Sequence, residues 1–115
     1  MPAKRYVPRQ GDVVWLDFSP QQGHEQAGRR PALVVSPEAY NAKVGLMLCC
    51  PITNQKKGYP FEVEVRGTGS VSGVVLSDQV KSLDWAARRA EFKGRLEPEA
   101  LAETVGKIKA LIDAE

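Results

Sequence analysis

The apolar positions of this chain fall into short runs of strand length, punctuated by glycine and proline, until the tail, where the spacing becomes helical. Gly11–Phe18 (GDVVWLDF) mixes β-branched and aromatic residues and closes at Ser19–Pro20, which predicts a strand ended by a turn. Pro31–Ser36 (PALVVS) is apolar at nearly every position, so it predicts a strand buried on both faces. Pro37–Lys43 has room for one or two helical turns. Leu46–Ile52 (LMLCCPI) predicts a third strand, with Pro51 marking an edge or a bulge, because proline brings no N–H to a ladder. Phe61–Arg66 (FEVEVR) alternates apolar and charged side chains, as a strand with one wet face does. Gly73–Asp78 (GVVLSD) and Arg88–Leu96 (RRAEFKGRL) predict a fifth and a sixth.

The tail is different. Pro98 suits a first helical position and Glu99 sits where the helix dipole favours an acid. Leu101, Val105, Ile108 and Ile112 repeat at the spacing of one apolar face, with Leu111 beside it, predicting an amphipathic helix that packs on the strands. Five or six short strands with one closing helix make a mainly β, single domain over residues 1–115, built as a small barrel or strongly curled sheet. Two connections stand out. Ser19–Arg30 (SPQQGHEQAGRR) and Thr53–Pro60 (TNQKKGYP) are long and polar, and loops of that kind on a rigid scaffold are where binding groups sit.

Composition narrows the classes. With 115 residues, 43% hydrophobic and 26% charged, the chain is an ordinary globular protein, neither disordered nor collagen-like. No window carries the roughly 20 apolar residues of a membrane span, and no apolar segment follows the basic N-terminus, so a cytoplasmic location is expected. The net charge of +2 is unevenly spread. Residues 97–115 hold five acids and two bases, leaving nine acids against 14 bases in the body, a balance suited to a polyanionic ligand. Cys49 and Cys50 are neighbours on a predicted strand and point to opposite faces, so they neither bridge nor chelate together; buried, reduced thiols are expected. With His24 as the only imidazole, there is no four-ligand zinc set and no two-histidine acid–base pair. Metal-free chemistry without a cofactor is the expectation.

No phosphate loop, dinucleotide fingerprint or nucleophile elbow is present. His24 reads as a solvated loop residue, and Trp15 and Trp85 are expected in the core. What remains is Glu25 and Arg30 in the first long loop and Thr53 opening the second. A guanidinium grips phosphate through paired hydrogen bonds, a hydroxyl bonds a phosphoryl oxygen, and a carboxylate accepts a proton. Together they suffice to turn an RNA 2′-hydroxyl on its own phosphodiester. On spacing alone, a loop ion pair and a turn hydroxyl account for the same three residues.

The blocks GDVVWLDF, HEQAGRRPALVVSP, CPITNQKKGYPFEV and VVLSDQVKSLDW occur in an order and spacing that resemble the MazF branch of the MazF/PemK toxin family, from about Tyr6 to the terminal helix. The resemblance implies an SH3-like barrel, a homodimer inhibited by a cognate antitoxin, and metal-independent, sequence-specific cleavage of single-stranded RNA; the basic face suggests that an acidic, disordered antitoxin tail inhibits by folding across the RNA groove. It implies catalytic roles for Arg30 on the scissile phosphate, Thr53 in orienting it, and Glu25 as base. Asp78, in the position of the PemK-branch aspartate, is the rival base; Leu76 stands where that branch has its arginine, so the PemK-type pairing is incomplete. RNA contacts are expected from Phe18, Arg29, Lys56, Lys57, Tyr59, Asp78, Gln79 and Lys81. Two other classes stay open: a gyrase-poisoning toxin of similar barrel, although the tail Ile112–Asp113–Ala114–Glu115 lacks that family's Trp-Gly-Ile, and a non-catalytic RNA-binding barrel.

Overall fold

The computed structural model describes residues 5–18 and 28–114. Within them the chain runs β1 (Asp12–Asp17), β2 (Arg29–Val34), α1 (Glu38–Val44), β3 (Leu46–Thr53), β4 (Glu62–Glu64), β5 (Val74–Leu76), β6 (Lys81–Asp84), β7 (Glu91–Arg95) and α2 (Pro98–Ile112). Every ladder is antiparallel, in the order β4–β5–β3–β2–β1–β7, with β6 also paired to β3. Among the described residues no ladder joins β4 to β7, so the sheet is not closed. It nevertheless curls: Val63 of β4, Val13 of β1 and Leu96 beyond β7 share one buried cluster, which residues from near opposite ends of a flat sheet could not do.

Side-chain parity divides the core. Val13, Leu33, Cys50 and Ile52 face that first cluster, closed by Ala100, Leu101 and Ile108 of α2. Val14, Leu16, Ala32, Val34, Met47 and Cys49 face a second, completed by Trp85. Central strands β1, β2 and β3 therefore contribute to both clusters, as the apolar run Pro31–Ser36 predicted for β2. Cys49 and Cys50 fall on opposite faces, and burial pushes each thiol up to about 12. In native protein near pH 8 the thiolate fraction is depressed by roughly three orders of magnitude relative to a free cysteine, so iodoacetamide should modify neither residue until denaturant is added. Rapid alkylation of the native protein would contradict this burial.

Four expectations need correction. Among the described residues the strands number seven, because β6 (KSLD) is a mostly exposed strand paired only with β3 and has no apolar pattern to announce it. Pro51 is not at an edge: β3 continues through it to Thr53, and Pro51 lies buried between the β6 ladder, ending at Cys49, and the β5 ladder, beginning at Ile52. Its missing N–H falls at the change of partner. In α2 the buried positions are Ala100 and Thr104, with Leu101 and Ile108 packed beside them, while Leu111 and Ile112 are 51% and 74% exposed. The last turn outruns the core it packs on. Trp85 is buried, its indole N–H donating to the Asn41 carbonyl at 3.0 Å, but Trp15 is only partly buried and lines a surface hollow.

The N-terminal segment is tied to the sheet by a buried charge. Asp12, 2% exposed, accepts hydrogen bonds from the Tyr6 hydroxyl (2.6 Å), the Arg9 backbone N–H (3.0 Å) and Arg95 Nη1 (2.7 Å). A carboxylate so surrounded offsets its desolvation, and the same burial, with the bond to Asp12, holds the Tyr6 hydroxyl well above the ordinary tyrosine range. No helix among the described residues is long and apolar enough to cross a membrane.

Candidate nucleic-acid interface

Sheet register brings the two expected phosphate ligands together. The β2–β3 ladder pairs Val34 with Cys49, Leu33 with Cys50 and Ala32 with Pro51. Beyond the last pair of that ladder, Arg30 and Thr53 line one and the same hollow, so the two side chains meet the same space. Arg30 is exposed and has no ion-pair partner among the described residues. Thr53 Oγ1 accepts the Gln55 backbone N–H at 3.1 Å, which fixes the side chain as the strand turns into its loop and leaves the hydroxyl proton to donate. Behind Thr53 runs Gly73, with φ of +118°; a Cβ there would lie 2.2 Å from the Thr53 carbonyl oxygen. Only glycine allows the chain entering β5 to pass that close.

Thr53 stands between two hollows. The first, of about 270 Å³, is lined by Arg30, Thr53, Trp15, Asn54, Ser70 and Ser72, among others. The second, of about 390 Å³, adds Gln55, Lys57, Tyr59, Asp78 and Gln79 to Thr53. Tyr59 is 54% exposed, its ring 6.0 Å from that of Phe61, so an open aromatic face borders this second hollow. The loop carrying Lys57 is pinned from below, since the Lys57 and Gly58 backbone N–H groups donate to the Glu62 carboxylate. Lys81, on β6, places its ammonium 5.6 Å from the centre of the Phe18 ring, a cation–π contact.

The remaining site residues fare differently. Lys56 is paired with Glu64 at 2.9 Å, and that contact holds the Glu64 carboxyl below its usual range. Arg29 is engaged within the fold, bonded to Asp17 and to the carbonyls of Trp15 and Arg89. Glu25 and His24 lie outside the described residues. Trp15, Asn54, Gln55, Ser70 and Ser72 were not among the site residues expected from sequence. Trp15 could have been found from parity: it alternates with buried Val14 and Leu16 but sits beyond Val13, where the core on that face ends. The small polar residues carry no signal by themselves; only the fold gathers them. No group of three or more His, Cys, Asp or Glu side chains among the described residues could hold a metal ion.

The rim therefore offers a fixed cation, a hydroxyl donor, amides and a carboxylate around open aromatic surface, a set suited to a phosphodiester with bases on either side. Comparison with known proteins agrees with that chemistry. Residues 9–112 match the family described as PemK-like, MazF-like toxin of type II toxin-antitoxin system. The chain is 55% identical over 108 residues to the endoribonuclease toxin MazF of Escherichia coli (strain K12), spanning 94% of this chain and 96% of that protein. The crystal structure of MazF (Form-I) from Deinococcus radiodurans aligns with a TM-score of 0.84 at 56% identity, covering 94% of this chain and 98% of that one. A MazE–MazF structure (Form-III) from the same organism aligns at 0.86 with 53% identity, covering 93% and 97%. With agreement in sequence and fold over nearly its whole length, the chain belongs to the PemK-like, MazF-like toxin family of type II toxin–antitoxin systems.

Proposed function

We propose that this endoribonuclease toxin cuts single-stranded RNA by directing a ribose 2′-hydroxyl at its own 3′-phosphate, with Arg30 and Thr53 holding the phosphoryl oxygens. The observation that carries the reading is the convergence of those two side chains on neighbouring strands, at the junction of two hollows. In the reaction the 2′-oxygen–phosphorus bond forms and the bond from phosphorus to the 5′-oxygen breaks. A carboxylate takes the 2′-hydroxyl proton and the departing 5′-oxygen takes one from water, giving a 2′,3′-cyclic phosphate and a 5′-hydroxyl. Arg30 serves as a charge clamp for the phosphorane and not as a base. Asp78 lines the second hollow with Thr53 and is one candidate base; Glu25 is the other.

Binding follows from the rest of the rim. Lys57 and Lys81 neutralise flanking phosphates, while Tyr59, Phe18 and Gln79 stack on or hydrogen-bond to unpaired bases. A cognate antitoxin is the partner of a toxin of this family. An acidic, disordered tail folding along the basic rim would occlude it, and the toxin itself would act as a homodimer.

Incubating the pure protein with a long unpaired RNA in EDTA, and mapping both ends of each cut, tests the reading. The expected products are cyclic phosphate and 5′-hydroxyl ends at one recurring short sequence, with binding that weakens steeply as salt rises. Intact RNA, or cleavage that appears only on adding magnesium, would overturn it.

A further inference from the structure

We infer that Arg29 is a positioning residue for Arg30: its guanidinium fixes the first residues of β2 so that the next arginine meets the phosphate. The inference rests on the site reading above. On the β3 side, the β2 ladder stops at Ala32, two residues short of Arg30. Ahead of Arg29 stands Gly28, exposed and with nothing within 4 Å of where a Cβ would lie. Arg30 is thus held by backbone pairing on one side only, through Leu16 and its neighbours in β1. Ladder ends of that kind fray unless something else anchors them.

Arg29 supplies the anchor. Arg30 lines its hollow with Thr53, while Arg29 turns toward β7, lining an adjoining hollow with Glu91 and Lys93 that shares Trp15 and Ser70 with the first. Its Nη1 donates to Asp17 at 3.1 Å, and its Nη2 to the carbonyls of Trp15 at 3.1 Å and Arg89 at 2.6 Å, with Glu91 at 3.5 Å. One rigid fork thereby clamps β1, the β6–β7 turn and β7. The turn is built to meet it. Arg89 is the one non-glycine among the described residues with positive φ, at +56°, a conformation that costs free energy in an L-residue and here presents its carbonyl to Arg29. Arg89 also returns a bond from Nε to Asp17 at 2.9 Å, so both arginines converge on one carboxylate.

The test is a double-mutant cycle on single-turnover cleavage, with folding checked by thermal melting. Arg29→Gln should lower the cleavage rate by about 10- to 100-fold with little change in RNA affinity, as expected for a shift of roughly an ångström in a catalytic group. Arg29→Lys, which keeps the charge but not the fork, should behave like Arg29→Gln. In an Arg30→Ala background, Arg29→Gln should change the residual rate by less than about twofold, because the group it positions is gone. Equal effects in both backgrounds, full activity of Arg29→Lys, or a loss of affinity with a shallower salt dependence would overturn the inference; the last would mean that Arg29 touches RNA itself. If Arg30→Ala were as active as the parent, the site reading would fall and the inference with it. If Arg30→Ala were inactive and Arg29→Gln fully active, the inference alone would fall.

Discussion

Arg30→Ala and Thr53→Ala should each cut RNA about 10²- to 10³-fold more slowly than the parent, the loss typical when one donor to a developing oxyanion is removed. The geometry explains why the effect is catalytic. Arg30 is exposed and makes no ion pair among the described residues, and the Thr53 hydroxyl accepts one loop N–H, so neither truncation removes core packing. Melting temperatures should stay within a few degrees of the parent. Because both groups hold the same phosphate, the double variant should lose much less than the product of the single losses. The same assay across pH separates the two carboxylates. The variant that removes the base, Asp78→Asn or Glu25→Gln, should flatten the acidic limb of the rate profile, and the other should leave that limb in place. Wild-type rates in both Arg30→Ala and Thr53→Ala would leave the site without its chemistry.

The second large effect is structural and reaches the site through the backbone. Gly73→Ala would set a methyl 2.2 Å from the Thr53 carbonyl oxygen while forcing a side chain onto φ of +118°. Strain of this kind costs of order 1–3 kcal/mol and a clash with backbone adds to it, so a loss of roughly 3 kcal/mol or more is expected. The melting temperature should drop by on the order of 10 °C. Cleavage should fall as well, because relief of the clash moves the end of β3 and Thr53 with it. Gly106→Ala provides the contrast: this glycine lies within α2 with open space around it, and alanine there should stabilise the fold by up to about 1 kcal/mol without affecting cleavage. Similar melting temperatures for Gly73→Ala and Gly106→Ala would refute the close approach at Thr53.

Legibility from sequence followed local pattern strength. β7 fell inside the predicted strand Arg88–Leu96, β1 to β5 and α2 were announced by apolar runs, alternation or helical spacing, and the opposite placement of Cys49 and Cys50 by strand parity alone. β6 was not, because a strand that is mostly exposed and paired on one side needs no apolar residues. The far end of α2 was misread for a related reason: Ile112 has the right spacing, but spacing cannot say where the core ends. Among the candidate site residues, Arg30, Thr53 and Tyr59 stood out as chemistry in polar loops, whereas Asp78, at the end of a predicted strand, was named only by the family resemblance. Arg29 and Lys56 were legible as charges, yet their partners, Asp17, the Arg89 carbonyl and Glu64, come from other segments.

The amino-acid order by itself determined the strand-rich architecture, the closing helix and the inventory of groups able to meet a phosphodiester, since each depends on neighbours within a few residues. Tertiary structure alone decided which arginine faces outward, which lysine is already paired, and that a partly buried Trp15 borders the site. Those outcomes depend on ladder register and on contacts between residues as many as 60 or more positions apart, such as Arg29 with Arg89 and Glu91, and no local period encodes them.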